Sequence, residues 1–514
     1  MDTIDTPQVA ITDAIAANAK WHPDRTAVVC EDRRLTWPEF NDGINQVANA
    51  LIGLGLRKGD KVSVLMLNSV ETAEIIFGTI KAGGVIVPLS AMVPGEGLVM
   101  QVNDSESRFL FVGPPLNRVI APHKDRLTGI LKGGLVSVGF EAEGWTPYEQ
   151  LVRESSTKEP SVRLTLEGDF NIIYSSGTTG VPKGIIHTHY ARQQFAFGAA
   201  IMFRINQHSV SILTTPLFAN GTWVTMLPTM LTGGTMVIMP TFDPRRFLEL
   251  VEREKGTHAF MVPTQFVVTL GLQDFDRFDL SSLQFLLCGG APLRRDTKEE
   301  IIRRFGCGLV EFYGTTEGVA IALQPEDAIR KVGSVGKPFL GNDIRIVDDQ
   351  GRELPQGEIG EIVGFSSVVM RGYHHQPEKT AEAIWRDERG RTYLRTGDVG
   401  RLDEDGYLYI LDRKKDMIIS GGINIFASDI EGVLAKHPAV QDVAVIGIPH
   451  EKWGETPLAL VVRRAEATAT GEEIMEWANA QLAKYQRISG VEFRDSLPRN
   501  PLGKLLKREL REPY

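Results

Sequence analysis

The stretch YSSGTTGVPKG, Tyr174 to Gly184, decides how this chain is read. The apolar run Phe170–Tyr174 predicts a strand that feeds a loop of small hydroxyl residues and glycine, closed by Lys183. Glycines let the backbone fold so that several N–H groups converge on one anion, hydroxyls add donors, and the lysine adds charge. The usual nucleotide P-loop places glycine before the lysine and Ser or Thr after it. Here Pro182 precedes Lys183, Gly184 follows, and Ile185–His187 predicts a second strand rather than a helix. The pattern therefore points to a phosphate cradle of another kind; a Gly/Ser/Thr-rich surface hairpin is the structural alternative.

Outward from this loop, helical and strand signals alternate over roughly the first four hundred residues, the pattern of layered α/β folds. Ile44–Leu54 has apolar residues at helical spacing, Lys61–Met66 reads as a buried strand, Val70–Ala82 as a helix and Val85–Leu89 as a strand. Met236–Met239, His258–Val262 and Phe285–Leu287 are further strand candidates. From about Val335 short strands alternate with turns at Asp349–Gly351 and Pro355–Gly357, which predicts a small β-rich subdomain. The last hundred or so residues read as a compact α+β unit. Ser428 with Glu431, and Thr470 with Glu473, have capping-box spacing ahead of amphipathic helices, and Val440–Ile446 and Pro457–Val462 are strands between them. The expected architecture is α/β. A large N-terminal domain over 1–412, with layered α/β subdomains and a β-rich part at about 335–412, precedes a small mobile α+β domain over 413–514.

A chain of 514 residues is too long for one ordinary core and suggests about three domains or subdomains. With 42% apolar and 24% charged residues it has a globular composition. A net charge of −9 disfavours nucleic acid as the main partner, because phosphate backbones require clustered basic residues. Cys30, Cys288 and Cys307 lack metal-ligand or redox spacing and fit a reducing cytoplasm. The N-terminus has no apolar secretory core. The most apolar stretch, Thr215–Met239, is broken by Pro216, Gly221, Pro228, Gly233 and Gly234, so it reads as buried core and not as a membrane span.

Three more constellations carry chemistry. In EFYGTTEG, Glu311 to Gly318, Tyr313 can stack on a base, Thr316 can donate to a phosphate and Glu317 is a hard oxygen ligand suited to Mg²⁺. A turn with a solvated glutamate has the same sequence. In Thr396-Gly397-Asp398 the aspartate can grip a ribose diol, or simply form an Asx-turn. In LPRNPLGKLLKREL, Lys504 follows a Pro/Gly loop and by itself reads as exposed charge.

Taken in order, the four motifs resemble the adenylate-forming superfamily of acyl-CoA synthetases, peptide-synthetase adenylation domains and beetle luciferases. The resemblance covers essentially the whole chain and extends to GGAPL (Gly289–Leu293), GYHHQPEKT (Gly372–Thr380) and DRKKDMIISGGINIFASDIE (Asp412–Glu431). It implies an enzyme that uses ATP, Mg²⁺ and coenzyme A. Ser175, Ser176, Gly177, Thr178, Thr179 and Lys183 would hold the β- and γ-phosphates, and Gly290, Ala291 and Tyr313 would enclose adenine. Thr316 would contact the α-phosphate, Glu317 would bind Mg²⁺, and Asp398 and Arg413 would hold the ribose. Lys504 would bridge the acyl carboxylate and the α-phosphate. Lys415 matches the hinge about which the C-terminal domain rotates between half-reactions. Gly421, Gly422 and Asn424 match the face that meets the pantetheine arm. Trp453 matches an aromatic near the CoA nucleotide in some relatives, with plain packing as the alternative.

The resemblance places the acid pocket at Ala219, Asn220, Gly221, Gly289, Gly314, Val319 and Ala320. None is charged, which disfavours an amino acid, whose buried ammonium needs a carboxylate. A hydrophobic acid fits, whether aryl, medium-chain or branched and cyclic. The chain departs from the pattern at Ala219, where many relatives have histidine or an aromatic. It also departs at Ile423 and Ala427, where an acidic or polar residue and a proline are frequent. These changes bear on the CoA step and leave three readings open. One is a CoA ligase, one an acyl-AMP ligase or amide-forming relative, and one a non-catalytic nucleotide-binding protein. Intact Lys183, Glu317, Asp398 and Lys504 speak against the last. A homodimer is left open.

Overall fold

The computed structural model describes residues 8–175, 183–499 and 505–514. The chain divides into two compact units. One holds the described residues through Val332 together with Pro338–Asn342 and Phe365–Ile384. The other holds Gly333–Lys337, Asp343–Gly364 and Trp385–Tyr514.

The first unit contains two large sheets. In one, the order runs Ala320–Leu323, Gly308–Gly314, Phe285–Gly289, His258–Met261, Val210–Leu213, Thr235–Ile238, Thr26–Cys30, Arg33–Thr36. The strands from Gly308–Gly314 to Thr26–Cys30 are parallel, while Ala320–Leu323 returns antiparallel with Tyr313 opposite Ile321 and Gly314 opposite Ala320. Strands buried on both faces need continuous apolar runs, which is why Phe285–Leu287 and Met236–Met239 were readable as strands. Helices Pro244–Glu254 and Arg295–Phe305 cover the sheet, and Phe247, Leu248, Val251, Ile301 and Phe305 pack on Ile212, Val237, Ala259 and Leu286.

The other sheet runs Gly372–Tyr373, Lys183–Thr188, Asp169–Ser175, Val85–Pro88, Lys61–Leu65, Ser107–Val112, Leu135–Ser137, Thr146–Pro147. The helix expected over Ile44–Leu54 begins earlier, at Trp37, because Thr36 and Glu39 close a reciprocal cap. The helix Val70–Lys81 is capped by Ser69 and is buried at every position but Glu71. The apolar stretch Thr215–Met239 is buried core, as expected: Trp223–Thr232 is a helix whose Trp223, Met226, Leu227 and Met230 are fully buried. Among the described residues no helix is long and apolar enough to cross a membrane.

In the second unit, Asp343–Val347, Gly360–Phe365, Thr392–Leu402, Ile384–Arg386 and Leu408–Arg413 form the expected β-rich sheet. A further sheet orders Ile423–Ile425, Ile418–Ser420, Gly454–Arg463, Val440–His450, with Gly490–Phe493 on Gly454–Arg463. The Thr470/Glu473 capping box forms, and Ile474 and Ala478 are buried behind it. The Ser428/Glu431 box does not form. That helix spans Ala427–Leu434 with Phe426 at its N-cap, so Ser428 already lies inside it. Tertiary partners outbid the local motif: Ser428 Oγ donates to the Leu411 carbonyl, while Glu431 accepts from Val445 N and pairs with Lys507 at 2.7 Å.

Candidate active site

Strands Asp169–Ser175 and Lys183–Thr188 pair antiparallel, with Tyr174 opposite Gly184 and Ser175 opposite Lys183. The second strand after the loop is thus a strand, as the sequence predicts. Ser176, Gly177, Thr178 and Thr179 lie outside the described residues, as does Lys504. Lys183 Nζ sits 4.8 Å from the centre of the Tyr373 ring, and Tyr373 Oη donates to Glu317 Oε1 at 2.9 Å. Burial first, then the Glu317 charge, push the Tyr373 phenol above its ordinary pKa, so it stays a donor. One tyrosine thereby connects the lysine of the loop with the carboxylate of the second motif. Sequence reasoning placed Tyr373 in a family motif without giving it this role; the link spans 56 residues to Glu317.

The Glu317 turn is fixed by its backbone. Met370 N donates to the Glu317 carbonyl at 2.7 Å, and Gly318 adopts φ +116. A Cβ on Gly318 would stand 2.3 Å from the Val368 carbonyl, so only glycine fits.

Behind the hairpin lies a buried polar network. His187 Nε2 donates to the Thr316 carbonyl at 2.8 Å, which leaves Nδ1 to accept from Arg192 Nη2 and Asn171 Nδ2, each at 3.2 Å. Arg192 Nε donates to Asn171 Oδ1 at 2.7 Å, and its guanidinium lies 4.9 Å from the Trp223 ring centre. Burial pushes Arg192 down to about 9, and burial with the adjacent guanidinium drives His187 well below its ordinary value. A neutral imidazole of one defined tautomer therefore holds the carbonyl of Thr316. Asn171, His187, Arg192 and Trp223 are at most 5% exposed. None carries a local motif, so no sequence signal singled them out.

The residues that the sequence resemblance assigns to the acid pocket fall at or just beyond the carboxyl ends of parallel strands, where open α/β sheets place ligands. Gly289 ends one strand and Gly314 ends its neighbour; Val319 and Ala320 enter the antiparallel return; Ala219–Gly221 follow the strand Val210–Leu213. A Cβ on Gly289 would meet the Phe312 carbonyl at 2.6 Å, so that position is glycine for packing reasons. Gly290 has φ +86 and, with Ala291, continues into the adjoining loop. Ala219 is buried, and Asn220 Oδ1 is buried without a hydrogen-bond partner. Buried Asn68 holds the segment in front: it donates to the carbonyls of Thr215 and Met239 and accepts from Leu217 N at 2.7 Å.

In the second unit Asp398 and Arg413 are cross-strand partners, with Arg413 Nε 3.5 Å from Asp398 Oδ1. Asp398 is 6% exposed, and its N–H is bonded to Thr396 Oγ1 at 3.1 Å. Lys415 is exposed, and its carbonyl accepts from Arg511. Gly421 and Gly422, with φ +59 and +80, make the two-residue turn between Ile418–Ser420 and Ile423–Ile425; both central residues of such a turn require positive φ. Gly421 N donates to the Trp453 carbonyl at 2.7 Å, and Trp453 is 47% exposed. Gly421, Gly422, Asn424 and Trp453 therefore share one exposed edge.

The model of the AMP-binding enzyme family matches residues 15–374, and that of the AMP-binding enzyme C-terminal domain matches 429–504. The long-chain-fatty-acid–CoA ligase FadD13 of Mycobacterium tuberculosis is 34% identical over 488 residues, 94% of each chain. A feruloyl-CoA synthase of Amycolatopsis is 34% identical, covering 96% of this chain and 97% of that one. The crystal structure of ATP-bound MatB from Rhodopseudomonas palustris superposes with a TM-score of 0.88 at 30% identity, over 98% of this chain and 99% of that chain. With the motifs in order on this α/β scaffold, the chain belongs to the AMP-binding enzyme family, the adenylate-forming superfamily of acyl-CoA ligases.

Proposed function

We propose that this protein is an AMP-forming acid–thiol ligase for a hydrophobic carboxylic acid. A carboxylate attacks the α-phosphate of ATP to give acyl-AMP and pyrophosphate. The thiol of coenzyme A then displaces AMP to give the acyl thioester. The observation that supports this most is the join of the phosphate-loop lysine to Glu317 through Tyr373. It sets cation and carboxylate around one place where a triphosphate is expected.

The first step brings one anion to another, so positive charge is needed where the transition state builds it. Ser175, Ser176, Gly177, Thr178, Thr179 and Lys183 are assigned to the β- and γ-phosphates, Thr316 to the α-phosphate, and Gly290, Ala291 and Tyr313 to adenine. Asp398 and Arg413 are assigned to the ribose, and Lys504 orients the attacking carboxylate. Glu317 Oε1 already accepts from Tyr373, which leaves its second oxygen as a hard ligand fitted to Mg²⁺. Mg²⁺ held there supplies charge for the leaving pyrophosphate. Lys415 is kept as the hinge, with the domain boundary at 412/413, and Gly421, Gly422, Asn424 and Trp453 as the pantetheine face. A cytoplasmic location is part of the same reading.

The pocket positions carry no charge, and their one polar side chain, Asn220, has an unpaired buried oxygen. A neutral acid with a single hydrogen-bond donor would satisfy it. Aryl, medium-chain and branched or cyclic acids are the class. A second reading, transfer to a carrier protein or amine, is favoured by the exposed apolar edge of the thiol face: Ile419, Ile423 and Trp453 are 52, 47 and 47% exposed. A panel of such acids with ATP, Mg²⁺ and coenzyme A, read as AMP release and acyl-CoA mass, tests both. Thioester with at least one acid is expected. Acyl-AMP that accumulates without thioester selects the second reading, and no turnover with any acid overturns the proposal.

A further inference from the structure

The family motif GYHHQPEKT carries two adjacent histidines that the adenylation chemistry does not use. His374 is 6% exposed, and its Nε2 faces the Asp104 carbonyl at 3.0 Å. The carbonyl can only accept, so that nitrogen bears the proton and Nδ1 keeps its lone pair. The His375 ring stacks on His374 with centroids 3.9 Å apart, and His375 Nε2 lies 3.9 Å from Glu106 Oε2. One donor atom from each of Glu106, His374 and His375 lies within 4.8 Å of the other two.

We propose that Glu106, His374 and His375 form a binding site for a divalent transition-metal ion of the zinc class, separate from the Mg²⁺ that accompanies the nucleotide. Two imidazoles and one carboxylate are the donor set such ions take, whereas Mg²⁺ and Ca²⁺ take oxygen. Metal–ligand bonds of about 2.0–2.2 Å require donors roughly 3.4 Å apart, so the three, now within 4.8 Å, must draw in by up to about 1.4 Å. Glu106 and His375 have side chains 61 and 54% exposed, which gives them that freedom. Both also hold positive φ, +55 and +53, an uncommon backbone state for residues other than glycine. The His374 proton on a main-chain carbonyl matches the outer contact that metal-bound histidines usually make. Lys61 Nζ, 3.5 Å from Glu106 Oε2, is the resident cation the ion would displace. The site adjoins Tyr373, and His374 N donates to the Gly184 carbonyl at 2.7 Å, so an ion here would brace the phosphate hairpin.

The test uses the full-length protein, stripped by chelator and free of nucleotide, titrated with Co²⁺ and followed by visible absorption with Zn²⁺ as competitor. One equivalent of Co²⁺ displaced by Zn²⁺ is expected. Glu106→Gln and His375→Asn should each weaken it about tenfold or more, Lys61→Gln should tighten it several-fold, and His208→Gln, elsewhere on the surface, should leave it unchanged. His374 is buried and its variants risk the fold, so the exposed pair decides. Co²⁺ affinity unchanged in the Glu106→Gln/His375→Asn double variant, with its thermal unfolding intact, overturns the proposal, as does no stoichiometric binding.

Discussion

The hairpin assigned to phosphate in the first unit and the glycine turn assigned to the thiol step in the second are held in place by different physics. Behind the hairpin, His187, Arg192 and Asn171 set the Thr316 carbonyl through buried side-chain hydrogen bonds. At the turn assigned to the thiol step, Gly421 and Gly422 set an exposed edge through their backbone dihedrals and the Gly421 N–H bond to the Trp453 carbonyl. A buried network is costly to break, because each partner left behind is unsatisfied, at about 1–3 kcal/mol per group. An exposed turn is cheap to alter and changes only what it presents. The first arrangement suits a step that demands fixed charge at one phosphorus. The second suits a surface that meets a flexible thiol arm.

The two half-reactions should separate most clearly at Lys504. Lys504→Ala should lower acyl-adenylate formation by about a thousandfold or more, yet spare thioester formation from a supplied acyl-adenylate. Equal losses in the two half-reactions would mean that the steps do not separate as assigned. Next comes Arg192→Met. It removes the donor to Asn171 Oδ1 and to His187 Nδ1, and should cost roughly 2–5 kcal/mol in denaturant unfolding. Adenylation, measured by pyrophosphate exchange, should fall with it; a variant as stable and active as the parent would deny the network its positioning role.

Glu74 sharpens the contrast through pH. It is 8% exposed, accepts from Tyr148 Oη at 2.9 Å, and burial first of all lifts it from 4.5 to about 7. The folded state then binds the proton more tightly than the unfolded state. Stability is therefore highest below about pH 4.5 as regards this group and is lost as pH rises toward 7, by about 3 kcal/mol in all. Glu74→Gln should flatten that slope in unfolding measured from pH 5 to 8, and an unchanged slope would refute it. Smallest is Gly421→Val. A Cβ there would meet the Trp453 ring at 3.0 Å while φ stands at +59. The thioester step should slow about tenfold, with pyrophosphate exchange within about twofold of the parent. Loss of both steps together would contradict a role confined to the thiol face.

The hairpin strands, the Thr470/Glu473 cap and the core strands were legible because each rests on neighbours a few residues apart. Ser428 and Glu431 have the same cap spacing, but Leu411, Val445 and Lys507 claim their side chains from 17, 14 and 76 residues away. A local pattern cannot register such competitors. The lack of charge at Ala219, Gly221 and Gly314 was legible, whereas the orphaned oxygen of Asn220 was not, since satisfaction depends on what folds around it.

The reaction class is written in chain order: a strand–loop–strand with Lys183, a carboxylate in Glu317, an aspartate in Asp398 and a lysine at 504 already specify adenylate chemistry. The fold decided how Lys183 and Glu317 are joined, because Tyr373 reaches both from a distant strand laid alongside the hairpin. It likewise decided the His187 tautomer and the grouping of Glu106 with His374 and His375. Hydrogen bonds and ligand sets depend on distances of a few ångströms, and chain order does not encode those until the sheets have formed.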